Sequence, residues 1–484
     1  MIRKVNFALI AVLALAAALR IYDFREIGFK FWDEVHYVSE ARAMPALSGS
    51  TTGFKAGNLL FFWAANPVLG RSAQTSILVS ILTGILTCLV LYFTGKRLFS
   101  RRTGLWAALV FAVLNFSIHY SRSALVESNL LFLISLTVLA LAYWPRYWVV
   151  CLTGLLAGWT FSTNQKAGFI LFLPFLLESL RWLRREPRGP VGTLLLRQAL
   201  FIAPSLAVFF AINAVYPPTM RPFDHADQFF ADLLQAAHPG YLFLETGLIG
   251  PVFILLFAAG FVPAIRRAQA AGLFLVVWFT LLFFIWSFNC HLEPRDFTGL
   301  IPAFALLAGL GGSETVRWFA VRLRRSEAIT GLVLGLLVAA YGVFASRETW
   351  QLKSDVLPMA RFINAHNVPG VVCGHPLYTL YGIPVYVLDS AGAIAPATLD
   401  SLAYAGWMFA TDYMLGKAML DSPPAWFNRL QQSAPEFGFT ASVSVHLPTV
   451  LETFSPERAR RIIRSPWARE IRLYALKNGA PFSD

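Results

Sequence analysis

Charge is scarce in this chain. Only 14% of its 484 residues are charged, against roughly a quarter in an ordinary soluble domain. With 57% of its residues hydrophobic, the chain has too little polar side chain to coat a soluble protein of this size. Carboxylates are scarcer still, 27 against 40 Lys and Arg, which leaves a formal net charge of +13. That excess does not mark a nucleic-acid partner, because the cations gather in short loops between apolar runs, where they read as topology signals. Cysteine is also rare: Cys88, Cys151, Cys290 and Cys373 are too few and too scattered for a disulfide framework or a zinc site. Cys88 and Cys151 fall in apolar runs and read as small core residues, whereas the sequence leaves open whether Cys290 and Cys373 pair. Internal repeats and low-complexity segments are lacking.

What the chain has in quantity is long apolar runs. They lie near 6–22, 76–94, 104–119, 129–144, 148–163, 167–183, 199–215, 247–264, 272–288, 297–312 and 329–345. Each approaches the roughly 20 residues that cross a bilayer, so about eleven spans are expected. The stretch 148–183 is too long for one span and breaks at "STNQKAG", where Asn164, Gln165 and Lys166 are costly in hydrocarbon. The first run reads as a retained span rather than a cleaved signal, because Arg20, Tyr22, Asp23 and Phe24 follow it without a small-residue cleavage step.

With the N-terminus inside, the basic clusters "GKRLFSRR", "WPRYW", "RWLRREPRG", "IRRAQ" and "VRWFAVRLRR" all fall on the inner side, as the positive-inside rule requires. The outer loops are then 23–75, 121–128, 163–166, 216–246 and 289–296, together with everything after about 346. Residues 1–346 hold the spans, and 347–484 read as a soluble module outside the membrane. That module offers strands at 369–374, 383–389, 406–412 and 469–476 and helices near 354–366, 397–405 and 456–465, an α/β pattern. The expected fold is an α-helical polytopic membrane protein with a C-terminal extracytoplasmic α/β module, and the expected location is a bacterial inner membrane.

The outer loops carry chemistry. "FWDEVHYVSEARAM" sets Asp33 and Glu34 side by side, with Tyr37 close behind. Lys55 follows in the same loop, Arg122 and Glu127 lie in "YSRSALVESN", and Lys166 lies in the break. His225 falls in the large loop, and His291 and Arg295 fall in "NCHLEPRDF". Lys55, Arg122 and Arg295 also fit as headgroup anchors, Glu127 also fits as a loop acid, and the histidines fit more readily as ordinary loop residues. Lys166 has almost no loop to sit in, and two adjacent carboxylates repel, so these positions point to a site. An acid can take a proton from an attacking hydroxyl, while cations hold a departing phosphate. Outside the membrane no nucleotide sugar is at hand, so a lipid phosphate is the expected donor.

In order along the chain these motifs resemble the polytopic GT-C glycosyltransferases, in the branch of protein O-mannosyltransferases and lipid A aminoarabinose transferases. "WDEVHYVSEARAM" is similar to that branch's first outer-loop pattern. The stretch from "GRSAQTSILV" to "HYSRSALVESN" resembles its second to fourth spans, "GLLAGWTFSTNQKAG" its glycine and lysine stretch, and "EPRDFTGLIP" its later span start. The resemblance covers about residues 1–346. It departs at "FKAGNLLFF", where Lys55 stands at the family's lysine without the two prolines that follow it there, which leaves the acceptor class open.

The resemblance implies Asp33 as the base, or as an acid that positions the acceptor, with Glu34 supporting it. It implies a divalent metal as one option, with Asp33 and Glu34 as its ligands. It further implies Lys166, Arg122 and Arg295 on the donor phosphate, with Lys55 at the family's lysine as a further phosphate candidate, while Tyr37, Glu127, His225 and His291 are candidate substrate contacts from the same outer loops. The expected activity transfers a sugar from a polyprenyl-phosphate donor to an extracytoplasmic lipid, glycan or protein, with inversion. A polyprenyl-glycan flippase and an oligosaccharide ligase are the rival readings; the first would place its charges near the bilayer midplane.

Overall fold

The computed structural model describes residues 7–29, 32–44, 55–144, 146–184, 191–217, 249–266, 269–287, 294–350, 356–373, 376–387, 398, 401–402, 407–410, 436–442 and 470–475. The helices are α1 (Phe7–Ile21), α2 (Trp32–Ala43), α3 (Ala56–Leu69), α4 (Ala73–Leu98), α5 (Arg101–Val113), α6 (Asn115–Ser121) and α7 (Val126–Leu141). They continue as α8 (Tyr147–Thr163), α9 (Leu173–Leu183), α10 (Val191–Val215), α11 (Pro251–Arg266), α12 (Ala270–Ser287), α13 (Ile301–Arg322) and α14 (Glu327–Ala345). A one-turn α15 (Arg347–Trp350) and α16 (Val356–Ala365) follow, and 3-10 segments occupy Gln165–Phe172 and Pro294–Leu300. The chain folds as two compact units: Met1–Tyr22, Glu40–Arg71 and Thr75–Gln351 form one, and Asp23–Ser39, Ser72–Gln74 and Leu352–Asp484 form the other.

In the first unit α13 is central, buried without a break from Ile301 to Ser313. It packs on α5 and α11. A Cβ on Gly260 of α11 would overlap the Leu307 carbonyl, and one on Gly311 of α13 would overlap that of Leu256. The same device joins α8 to α10, where Gly154 and Gly158 face the carbonyls of Phe201 and Ser205. Small residues let helix backbones approach in lipid, where no hydrophobic effect drives helices together. The apolar window of α13 is 89% buried, but those of α10 and α14 only 17%, so these two turn apolar side chains outward as lipid-facing helices do.

Among the described residues six helices are long and apolar enough to span, or seven if α5 and α6 count as one bent span, rather than about eleven. The difference lies partly in apolar helices that are short, such as α7, α8 and α11, and partly in broken ones. The run 104–119 bends by 61° between α5 and α6. Neither Pro nor Gly stands at the break. Instead the Arg20 guanidinium, fully buried, donates to the carbonyls of Ala112 (2.9 Å) and Phe111 (3.3 Å) and to Ser117 Oγ (2.9 Å). Those carbonyls lie at the end of α5, where helical partners run out. The expected break in 148–183 is present: α8 ends at Thr163, Asn164 is extended, and the 3-10 segment precedes α9. The stretch 23–75, expected as a loop, holds α2 and α3.

The second unit contains a five-stranded sheet in the order β2-β1-β3-β5-β4. Its strands are β1 (Val371–Cys373), β2 (Val385–Val387), β3 (Met408–Ala410), β4 (Glu436–Ser442) and β5 (Glu470–Ala475). β1 runs parallel to β2 and β3, and β5 is antiparallel to β3 and β4. Every residue of β1 is buried, as a strand flanked by parallel neighbours should be. Four strands and α16 lie where the sequence places them, and β4 is an addition. The helix expected at 456–465 lies outside the described residues, as does most of that at 397–405. Asp23–Ser39 is tied into this unit: Arg361 donates to both Glu26 carboxylate oxygens at 2.9 Å, and the Phe29 amide donates to Tyr381 Oη at 3.3 Å.

Candidate functional site

The acidic pair opens α2, so both carboxylates sit in a first helical turn, a favourable place for negative charge. Asp33 is half-buried and Glu34 fully buried. Tyr37, one turn on, is buried and its hydroxyl donates to Asp33 Oδ2 at 3.5 Å. The solvent-accessible acid of the pair is therefore Asp33.

In the first unit, side chains from four chain segments line a single cavity of about 80 Å³. Lys55 precedes α3, and Glu127 stands in the first turn of α7. Lys166 and Asn164 come from the break after α8, and Arg295, Asp296 and Thr298 from the 3-10 segment Pro294–Leu300. Local rules place these groups. Asn164 accepts the Lys166 amide at 3.0 Å and so caps the 3-10 turn that presents the lysine. Behind the cavity a buried polar chain ties three helices: Asn129 of α7 donates to Asn58 Oδ1 of α3 (2.8 Å) and accepts from Thr83 of α4 (2.9 Å). This chain fixes the start of α3, with Lys55, against the start of α7, with Glu127.

The structure thus brings Lys55, Glu127, Lys166 and Arg295 together. The Lys166 ammonium pairs with the Asp296 carboxylate and lies 5.9 Å from the centre of the Trp286 ring. Glu127 is 3% exposed, a buried acid among cations. Asp296 and the Asn58–Asn129 pair are not among the site candidates read from the sequence, which marks Asn164 only as part of the break. Asp296 stands next to Arg295 in "EPRDF", and its pairing across 130 residues leaves no trace in local pattern.

Arg122 does not line this cavity. It is 1% exposed, and Nη1 donates to the carbonyls of Arg20 (2.9 Å), Tyr22 (2.8 Å) and Leu19 (3.4 Å), capping the C-terminal end of α1. The segment 121–128 is buried throughout rather than an open loop. His225 and His291 lie outside the described residues. At the end of α10 the buried Tyr216 phenol is pushed up to about 12 by burial and by the Glu40 carboxylate, so it stays neutral at physiological pH. Among the described residues no three of His, Cys, Asp and Glu gather as a metal site, so Asp33 and Glu34 have no third ligand there.

Residues 58–207 match the dolichyl-phosphate-mannose-protein mannosyltransferase family. A direct sequence comparison with curated proteins finds no match. The fold is similar to ArnT from Cupriavidus metallidurans bound to undecaprenyl phosphate (TM-score 0.59, 15% identity, 98% of each chain covered). It is also similar to the archaeal oligosaccharyltransferase AglB from Archaeoglobus fulgidus in complex with an inhibitory peptide and a dolichol-phosphate. That match has a TM-score of 0.57 at 11% identity and covers 86% of this chain and 70% of AglB. The match to the mannosyltransferase family thus spans residues 58–207, and the fold along the chain is similar to those of ArnT and AglB.

Proposed function

We propose that this protein transfers a sugar from a polyprenyl-phosphate donor to an acceptor hydroxyl on the outer face of the membrane, with inversion at the anomeric carbon. The observation that carries this reading is the convergence of Lys55, Lys166 and Arg295 on one cavity, beside the buried Glu127. Cations fixed in that way form charge-assisted bonds to phosphate, about twice as strong as neutral ones. Such preorganised charge stabilises a leaving phosphate as negative charge develops on it.

In the reaction the acceptor oxygen bonds to C1 and the C1–O bond to phosphate breaks, its electron pair leaving on the phosphate oxygen. Asp33 takes the acceptor proton, Tyr37 holds the Asp33 carboxylate in place, and Glu34 supports the turn. Acceptors of this class are envelope lipids, glycans or proteins. The location that fits is a bacterial inner membrane, with the N-terminus cytoplasmic and the sheet-bearing unit outside.

Purified protein in detergent should turn over with a polyprenyl-phosphate sugar and fail with the matching nucleotide sugar. Turnover on the nucleotide sugar alone would overturn the reading. Mass spectrometry of lipid and glycan extracts from deletion and parent cells then names the acceptor by the sugar-modified product that disappears.

A further inference from the structure

A cavity built only to attract phosphate should not contain an opposing carboxylate. Asp296 is one: its side chain is 7% exposed, lines the cavity and pairs with Lys166, whose side chain is 48% exposed. Withdrawing a carboxylate from water is costly unless it is paired, and Lys166 supplies that partner at the cavity. Lys55, Lys166 and Arg295 against Glu127 and Asp296 leave the lining with one formal positive charge.

Resting on the reading above, we infer that Asp296 is a specificity residue that matches the cavity to a singly charged phosphodiester and disfavours the doubly charged phosphomonoester left after transfer. The chemistry of the two lipids makes this distinction meaningful. The donor phosphate is esterified on both sides and carries one negative charge. When the C1–O bond breaks, the lipid keeps the phosphate as a monoester, whose second ionisation lies at about pH 6, so above that pH it carries nearly two charges. Three unopposed cations would hold this product more tightly than the donor and trap the enzyme after each turnover. The buried Asp296 carboxylate removes that preference by repelling the extra charge, while Lys166 remains able to exchange its partner for the donor phosphate.

The test compares the full-length parent with Asp296→Asn in detergent, using a polyprenyl monophosphate and a glycosyl polyprenyl phosphodiester as ligands without acceptor. At pH 8 the substitution should tighten the monophosphate roughly tenfold more than the diester, the scale of one nearby unit charge inside a protein. At pH 5.5, where the monophosphate is mainly singly charged, the two ligands should respond alike. Asp296→Glu should restore the parent ratio. Added monophosphate should inhibit transfer more strongly in Asp296→Asn than in the parent. A merely structural ion pair would change both ligands by the same factor at both pH values, and that result would overturn the inference. If Asp296→Asn does not fold, the parent alone decides: a tenfold preference for the dianionic monophosphate over the diester would refute it. Failure of the parent to bind either lipid would instead remove the phosphate site itself, and the inference with it.

Discussion

Asp33, Glu34, Lys166 and Arg122 are four charged side chains of similar prominence in sequence, and the structure gives them unlike surroundings. Asp33 is half-buried, so it can meet solvent and an acceptor, whereas Glu34 is sealed in. Asp33→Asn should therefore lower transfer by about 100-fold or more, the usual cost of losing a general base, with the thermal midpoint nearly unchanged. Glu34→Gln should lower the midpoint as well. Transfer at near-parent rates by Asp33→Asn would assign the base elsewhere, with Glu127 the next acid to test. The cations divide in the same way. Lys166→Ala should weaken donor binding and leave stability close to the parent, because the side chain is half exposed. Arg122→Met should do the reverse, costing about 1–3 kcal/mol as three carbonyls at the end of α1 lose their donor. Thermal-shift and donor-titration curves on the two variants separate these outcomes.

At the level of elements, close helix crossings and broken helices decide the architecture. Gly154 and Gly158 of α8 lie against carbonyls of α10. Gly158→Leu should force the pair apart and destabilise the protein by about 1–3 kcal/mol, the usual penalty for overpacking. The same change at Gly192, whose Cβ would meet nothing within 4 Å, should cost no more than a helix-surface substitution. Equal melting curves for the two variants would show that α8 and α10 do not cross there. This is also the scale at which sequence reading succeeds and fails. Among the described residues, apolar composition locates the six helices long enough to span, and the polar residues of "STNQKAG" mark a real break, because a cost in hydrocarbon is written locally. The bend at Leu114 is invisible for the opposite reason: its cause, Arg20, is more than 90 residues away. The pairing of Asp296 is hidden in the same way, since its partner Lys166 belongs to a different helix break. The gathering of Asp23–Ser39 with the C-terminal sheet rests on Arg361 and Tyr381, again far along the chain.

For the whole molecule the proposed reaction imposes an orientation, because a lipid-linked donor is needed only where nucleotide sugars are absent. The basic clusters settle which side that is if they face the cytoplasm. Leu183 and Leu323 flank two of those clusters and are 64% and 59% exposed, so cysteines there would be reachable from the inner side without disturbing the core. Tyr386 on β2 is 36% exposed and reports on the sheet-bearing unit, and Ser48 falls in the first stretch assigned to the outer side. In a background lacking Cys88, Cys151, Cys290 and Cys373, cysteines at Ser48 and Tyr386 should react with an impermeant thiol reagent in intact spheroplasts. Those at Leu183 and Leu323 should react only after the membrane is opened. The reverse pattern would put the cavity of Lys55, Lys166 and Arg295 on the cytoplasmic side, where nucleotide sugars are abundant and a polyprenyl-phosphate donor loses its rationale. Labelling of Ser48 without Tyr386 in intact spheroplasts would place an odd number of spans between 48 and 386. That outcome would keep the outward acidic segment but separate it from the sheet, against the single unit that Asp23–Ser39 and Leu352–Asp484 form.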